Sequence, residues 1–110
     1  MSAGESLVIP GPVLVELDYL VATRLHPRIM VEFLKDIRAG AYDVVELEPE
    51  DYKRIEEICE RYLDSDIGFV DAAILAVVER LNEPKLATLD HRHFRLLRPR
   101  HVDALQLLPE

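Results

Sequence analysis

The spacing of apolar and polar positions changes repeatedly along this chain of 110 residues. Leu7-Val8-Ile9 is a short apolar run stopped by Pro10-Gly11-Pro12. It predicts a strand followed at once by a helix, since proline is tolerated in a first helical turn. Residues 13–25 then predict a largely buried helix, with Tyr19 and Leu20 as core side chains. His26-Pro27 breaks it, because the residue before proline is pushed away from helical geometry. Ile29, Met30, Phe33, Leu34 and Ile37 recur at i, i+3 and i+4 and predict a second helix, with Gly40 as its stop. Residues 42–47 fit a strand. Pro49 opens a third helix with Tyr52, Ile55, Ile58, Cys59 and Tyr62 on one face and acids on the other. Residues 64–68 predict a loop, 69–81 an apolar helix, 86–89 a strand, the histidines just after it a loop, and 104–108 a final strand.

Strands alternating with helices indicate an α/β fold with a mainly parallel sheet flanked by helices. With no internal repeat and no long linker, residues 1–110 are expected to form a single domain. A hydrophobic content of 49% favours a folded domain over disorder. Cys59 is the only cysteine, which excludes an internal disulfide and favours a reducing compartment; packing within its helix is its expected role. No apolar run approaches the roughly 20 residues that cross a bilayer, and residues 1–6 lack the basic start of a secretory signal. A cytoplasmic protein without membrane contact is therefore expected.

A net charge of −8 opposes indiscriminate binding to a phosphate backbone. The charge is unevenly placed. Acids dominate residues 43–66, whereas residues 84–101 carry Lys85, Arg92, Arg95, Arg98 and Arg100 with Asp90 as the only acid. Such a basic edge suits a nucleic-acid backbone, although solvated surface charge is the commoner reading of either run.

The candidate chemistry lies in three carboxylates set in apolar surroundings. Asp71 stands near the start of the apolar helix in Gly68-Phe-Val-Asp-Ala-Ala-Ile-Leu-Ala76, Asp90 follows the strand Leu86-Ala-Thr-Leu89, and Glu16 sits within Val13-Leu-Val-Glu-Leu-Asp-Tyr-Leu-Val21. An ionised carboxylate in apolar surroundings is costly unless paired, hydrogen-bonded or bound to a cation. In open α/β sheets, ligands bind beyond the carboxyl ends of the strands. Glu16 and Asp90 would project there, and Asp71 joins them if its helix starts at that edge. Clustered carboxylates suit Mg²⁺ or Mn²⁺ better than zinc. Blander roles compete: a favourable charge at a helix N-terminus for Asp71, a turn after a strand for Asp90, a loop or cap for Asp66. Asp18 lies off the Glu16 face and reads as a surface acid. His91 and His93 lack a third soft ligand, so a structural hydrogen bond, or a phosphate contact by His93 beside Arg92, is expected before zinc. Phe94 is expected to pack the segment against the sheet.

Three motifs resemble the PIN domain, and within it the VapC-type toxins. They are Ile9-Pro-Gly-Pro-Val-Leu-Val-Glu16-Leu-Asp-Tyr-Leu, Ile67-Gly-Phe-Val-Asp71-Ala-Ala-Ile-Leu-Ala and Leu86-Ala-Thr88-Leu-Asp90-His-Arg92-His93-Phe94. Any one alone is weak; three in this order, covering the chain from about Leu7 onward, are specific. The resemblance implies a Mg²⁺- or Mn²⁺-dependent endoribonuclease, silenced by a cognate antitoxin and commonly a homodimer. It implies Glu16, Asp71 and Asp90 as catalytic, metal-holding carboxylates and Thr88 as a supporting polar group. Arg92 and Arg95 are candidates for substrate phosphates. The family pattern opens with a further strand ending in an aspartate. Neither precedes Leu7 here, so the sequence predicts an N-terminally incomplete PIN-like sheet with its first central strand missing. Weak or absent nuclease activity is the corresponding expectation. The alternative is a non-catalytic PIN remnant that binds an antitoxin or a homologous subunit through its apolar helix faces.

Overall fold

Proline and glycine punctuation sets most element boundaries. A computed structural model of the chain describes residues 7–88 and 91–108. The chain forms two compact units, the first ending at Leu47 and the second beginning at Glu48. As expected from the alternation, the fold is α/β and its strand pairs are parallel.

In the first unit, β1 (Leu7–Pro10) runs directly into α1 (Gly11–Arg24), and α2 (Arg28–Arg38) leads to β2 (Tyr42–Val45). β1 and β2 pair in parallel, with Leu7 opposite Tyr42 and Pro10 opposite Val45. Pro10 is already extended, and Pro12 falls in the first turn of α1, where its missing N–H breaks no helical hydrogen bond. That turn contains no acid of its own. Glu46, just beyond β2, places its carboxylate against Gly11, 3.1 Å from where a Cβ would stand. Negative charge at a helix N-terminus is favourable, and glycine leaves room for it. Gly40, at φ +87°, ends the turn after α2, and Phe33 stacks on Tyr42 at 4.8 Å between ring centroids.

The expected burial of α1 is not observed. Val21 is its one buried residue among those described, whereas Val15 is 76% and Tyr19 68% exposed, and Leu20 is exposed as well. Two four-residue strands and one neighbouring helix offer too little surface to cover a helix that is apolar on most sides.

The buried side chains concentrate in the second unit. There α3 (Pro49–Arg61) packs on α4 (Phe69–Arg80), β3 (Lys85–Ala87) pairs in parallel with β4 (Gln106–Leu108), and α5 (His91–Leu96) lies between those strands in sequence. Ile55, Ile58, Ala72, Ala73, Leu75, Ala76 and Val77 are buried in the two helices, with Phe94 and Leu97 completing the core. The alanines let the helix backbones approach closely. Tyr62 is buried, and its hydroxyl accepts a hydrogen bond from the Arg98 N–H at 3.0 Å.

Two expectations are corrected here. Tyr52 is exposed, and the inward face of α3 begins instead at Asp51, one helical turn before Ile55. The histidine segment expected as a loop contains α5, because Phe94 and Leu97, three residues apart, both reach the core.

Asp51 is 4% exposed. It accepts the Glu48 N–H at 2.8 Å, capping α3, and Arg80 Nε lies 3.1 Å from both of its oxygens. Beside it, Arg54 makes a two-pronged pair with Glu79 at 2.7 and 2.9 Å. Hydrogen bonding to Glu79 raises the Arg54 pKa further above its ordinary value. These pairs tie α3 to α4 across 25 and 29 residues of sequence. Asp51→Ala is expected to lower the urea-unfolding free energy by about 2 kcal/mol, since it removes a cap and an acidic partner of a half-buried Arg80. Asp51→Asn keeps an acceptor for the cap and is expected to recover part of the loss. Superimposable unfolding curves for Asp51→Ala and the parent would remove this pair from the account.

Candidate active site

The second unit fixes Asp71 through the N-terminus of α4. Gly68 is extended at φ −101° and ψ −171° and offers no side-chain cap, so Phe69, Val70 and Asp71 form the first turn. Ala72 and Ala73 behind them are fully buried, which anchors this end of the helix. Asp71 is half-buried, with its charge at the positive end of the helix dipole.

His93 on α5 meets Asp71 directly, with Nδ1 2.9 Å from Asp71 Oδ2. An ionised carboxylate only accepts, so the hydrogen sits on Nδ1 and His93 donates. The two side chains are similarly enclosed, 21% exposed for His93 and 22% for Asp71. The structural hydrogen bond expected of His93 is therefore present, and its partner is a candidate metal ligand. Nothing in the sequence gives that partner, because the two residues lie 22 positions apart on different helices.

Thr88 continues the β3–β4 ladder, its N–H donating to the Leu108 carbonyl at 2.9 Å. Arg92 and Arg95 are exposed on the same short helix as His93. Asp90 lies outside the described residues. Glu16 belongs to α1 of the first unit, where it is exposed rather than set in an apolar face. Asp18 is exposed, as expected. Asp66 is exposed in the left-handed region at φ 58°, and it does not cap α4. Cys59 is a free, half-buried thiol on α3.

Among the described residues, no three His, Cys, Asp or Glu side chains are grouped so as to hold a metal ion. The Asp71 carboxylate is the donor type that a hard divalent cation takes. Asp71 provides carboxylate oxygen hydrogen-bonded to His93, and the strand that ends near Thr88 leads in sequence to Asp90. Oxygen donors of this kind fit Mg²⁺ or Mn²⁺. Part of the basic edge is engaged internally: Arg100 pairs with Glu57, and its N–H donates to Glu79 at 2.9 Å. A cavity of about 380 Å³ on this unit is lined by these paired charges, including Asp51, Arg54, Glu79 and Arg80, and includes neither Asp71 nor His93. Among the described residues no helix is long and apolar enough to cross a membrane.

Two comparisons bear on this arrangement. The family model for the PIN domain matches residues 1–98. Ribonuclease VapC26 of Mycobacterium tuberculosis is 35% identical over 98 residues, covering 89% of this chain and 73% of that protein.

Proposed function

The chain belongs to the PIN-domain family, and from that membership we propose that it is the toxin of a type II toxin–antitoxin pair, a Mg²⁺- or Mn²⁺-dependent endoribonuclease. The observation that carries this reading is the Asp71 carboxylate at the start of α4, hydrogen-bonded to His93 inside a motif that resembles the family's. Similarity to a protein named as a ribonuclease supports RNA as the substrate class.

Asp71 and Asp90 would hold the ion, and Glu16 is assigned to metal-dependent cleavage by its motif position. When bound there, such an ion would supply Lewis-acid polarisation of the phosphodiester and an activated water for in-line attack. The chain's own groups supply the rest. His93 donates a hydrogen bond to the Asp71 carboxylate at 2.9 Å. Thr88, held by its backbone bond to β4, contributes a hydroxyl near Asp90 in sequence. Arg92 and Arg95, three residues apart on α5, hold substrate phosphates, a task suited to the planar guanidinium. With a net charge of −8, this local pair rather than the whole surface draws the RNA.

The working location is the cytoplasm, and the partners are the cognate antitoxin and a second copy of the chain. Exposed apolar side chains on α1 and α2, among them Val15, Tyr19 and Leu34, support a protein partner. The same exposure favours the second reading, a non-catalytic module that binds an antitoxin or a related subunit. Asp90→Asn and Glu16→Gln discriminate the two. Both are expected to abolish metal-dependent RNA cleavage while leaving the folded state intact by circular dichroism. Cleavage at the parent rate in either variant would remove that residue from the mechanism.

A further inference from the structure

The backbone of α4 places Asp71 but does not orient its carboxylate, because the terminal torsion of aspartate is broad and roughly two-fold. An ion such as Mg²⁺ demands near-ideal octahedral geometry, so a ligand carboxylate must be held as well as placed. Among the described residues, the Nδ1–H of His93, 2.9 Å from Oδ2, makes a contact that can do this. His93 is itself held. Its helix is pinned by Phe94, 4% exposed, and Leu97, 2% exposed just beyond its end, so the ring cannot drift without lifting core side chains.

We infer that His93 is a positioning residue for the metal site, orienting Asp71 through Oδ2 so that the carboxylate binds a divalent ion in a fixed geometry. The inference rests on the reading of Asp71 as a metal ligand. It assigns His93 to neither zinc binding nor substrate phosphate. It also gives a reason for so short a helix to carry one apolar anchor, Phe94, and to be followed at once by another, Leu97. They fix the histidine, and the histidine fixes the carboxylate. Outer hydrogen bonds of this kind typically contribute about 10- to 100-fold to metal affinity.

The test is Mn²⁺ binding to the full chain without RNA, read from the free-Mn²⁺ electron paramagnetic resonance signal. Thermal unfolding in EDTA is measured in parallel. His93→Ala is expected to raise the Mn²⁺ dissociation constant by about 10- to 100-fold. His93→Asn, whose amide N–H₂ can stand where Nδ1–H stood, is expected to recover most of that loss. In an Asp71→Asn background, His93→Ala is expected to change Mn²⁺ binding no further. A Mn²⁺ affinity unchanged in His93→Ala, with affinity lost in Asp71→Asn, would overturn the inference and leave the metal site standing. His93→Asn binding as poorly as His93→Ala would also overturn it, since the amide donor would then not replace the ring. Parent-like Mn²⁺ affinity in Asp71→Asn would instead overturn the underlying assignment of Asp71.

Discussion

Asp71→Asn is expected to lower Mn²⁺-dependent RNA cleavage by at least about a hundredfold, more than the loss of an outer hydrogen bond to a ligand produces. The substitution is close to isosteric. Its amide oxygen can still accept from His93 Nδ1, 2.9 Å from Oδ2 in the parent, so the contact between α4 and α5 has a route to survive. What is lost is the negative charge, and with it the attraction for a divalent ion. The competing role of Asp71, a charge at the start of α4, makes a different prediction. Removing such a charge costs about 0.3–1 kcal/mol of stability and nothing in catalysis. Cleavage rates and unfolding curves for the same variant therefore separate the two roles. A hundredfold loss of rate with a small stability change supports the metal site, whereas a stability change alone would return Asp71 to the helix dipole.

Leu75→Ala is expected to have the largest effect on stability. Leu75 is fully buried on α4, within the core that also contains Ile55 and Ile58. Truncating a buried leucine removes transfer free energy and leaves a cavity, at a cost of about 2–5 kcal/mol. The small alanines along α4 cannot grow into the space, which places the expected loss at about 3 kcal/mol or above. That is a large fraction of the stability of a typical small domain. Urea denaturation followed by circular dichroism measures it. Val15→Ala, at a side chain 76% exposed on α1, is expected to change stability by less than about 0.5 kcal/mol. Equal losses at the two positions would contradict the concentration of the core in the second unit.

The sequence exposes the elements better than their surroundings. The 69–81 helix is legible because its apolar run, its glycine start and its acid near the N-terminus agree, and α4 is found at Phe69–Arg80. Gly40 and Pro49 mark their boundaries for equally local reasons. The exposure of Tyr19 and Leu20 is not legible, since periodicity shows that a helix is apolar and not what covers it. Asp51 is misplaced among surface acids because its burial depends on Arg80, 29 residues away. The Glu48-x-x-Asp51 spacing around Pro49 was the available clue, as a capping pattern. At the candidate site, Asp71, Thr88 and Asp90 are named by motifs as expectations. The orientation of Asp71 by His93 is not, because no local pattern links a helix start to a histidine on a helix of six residues.

The central claim is that this chain cleaves RNA through a divalent ion held by its carboxylates. Its most direct test is cleavage of RNA by the 110-residue chain in Mn²⁺, with EDTA and Asp71→Asn as controls. The account predicts cleavage that rises with Mn²⁺ and disappears in both controls. Cleavage that persists in EDTA, or Mn²⁺-dependent cleavage at the parent rate in Asp71→Asn, would contradict it.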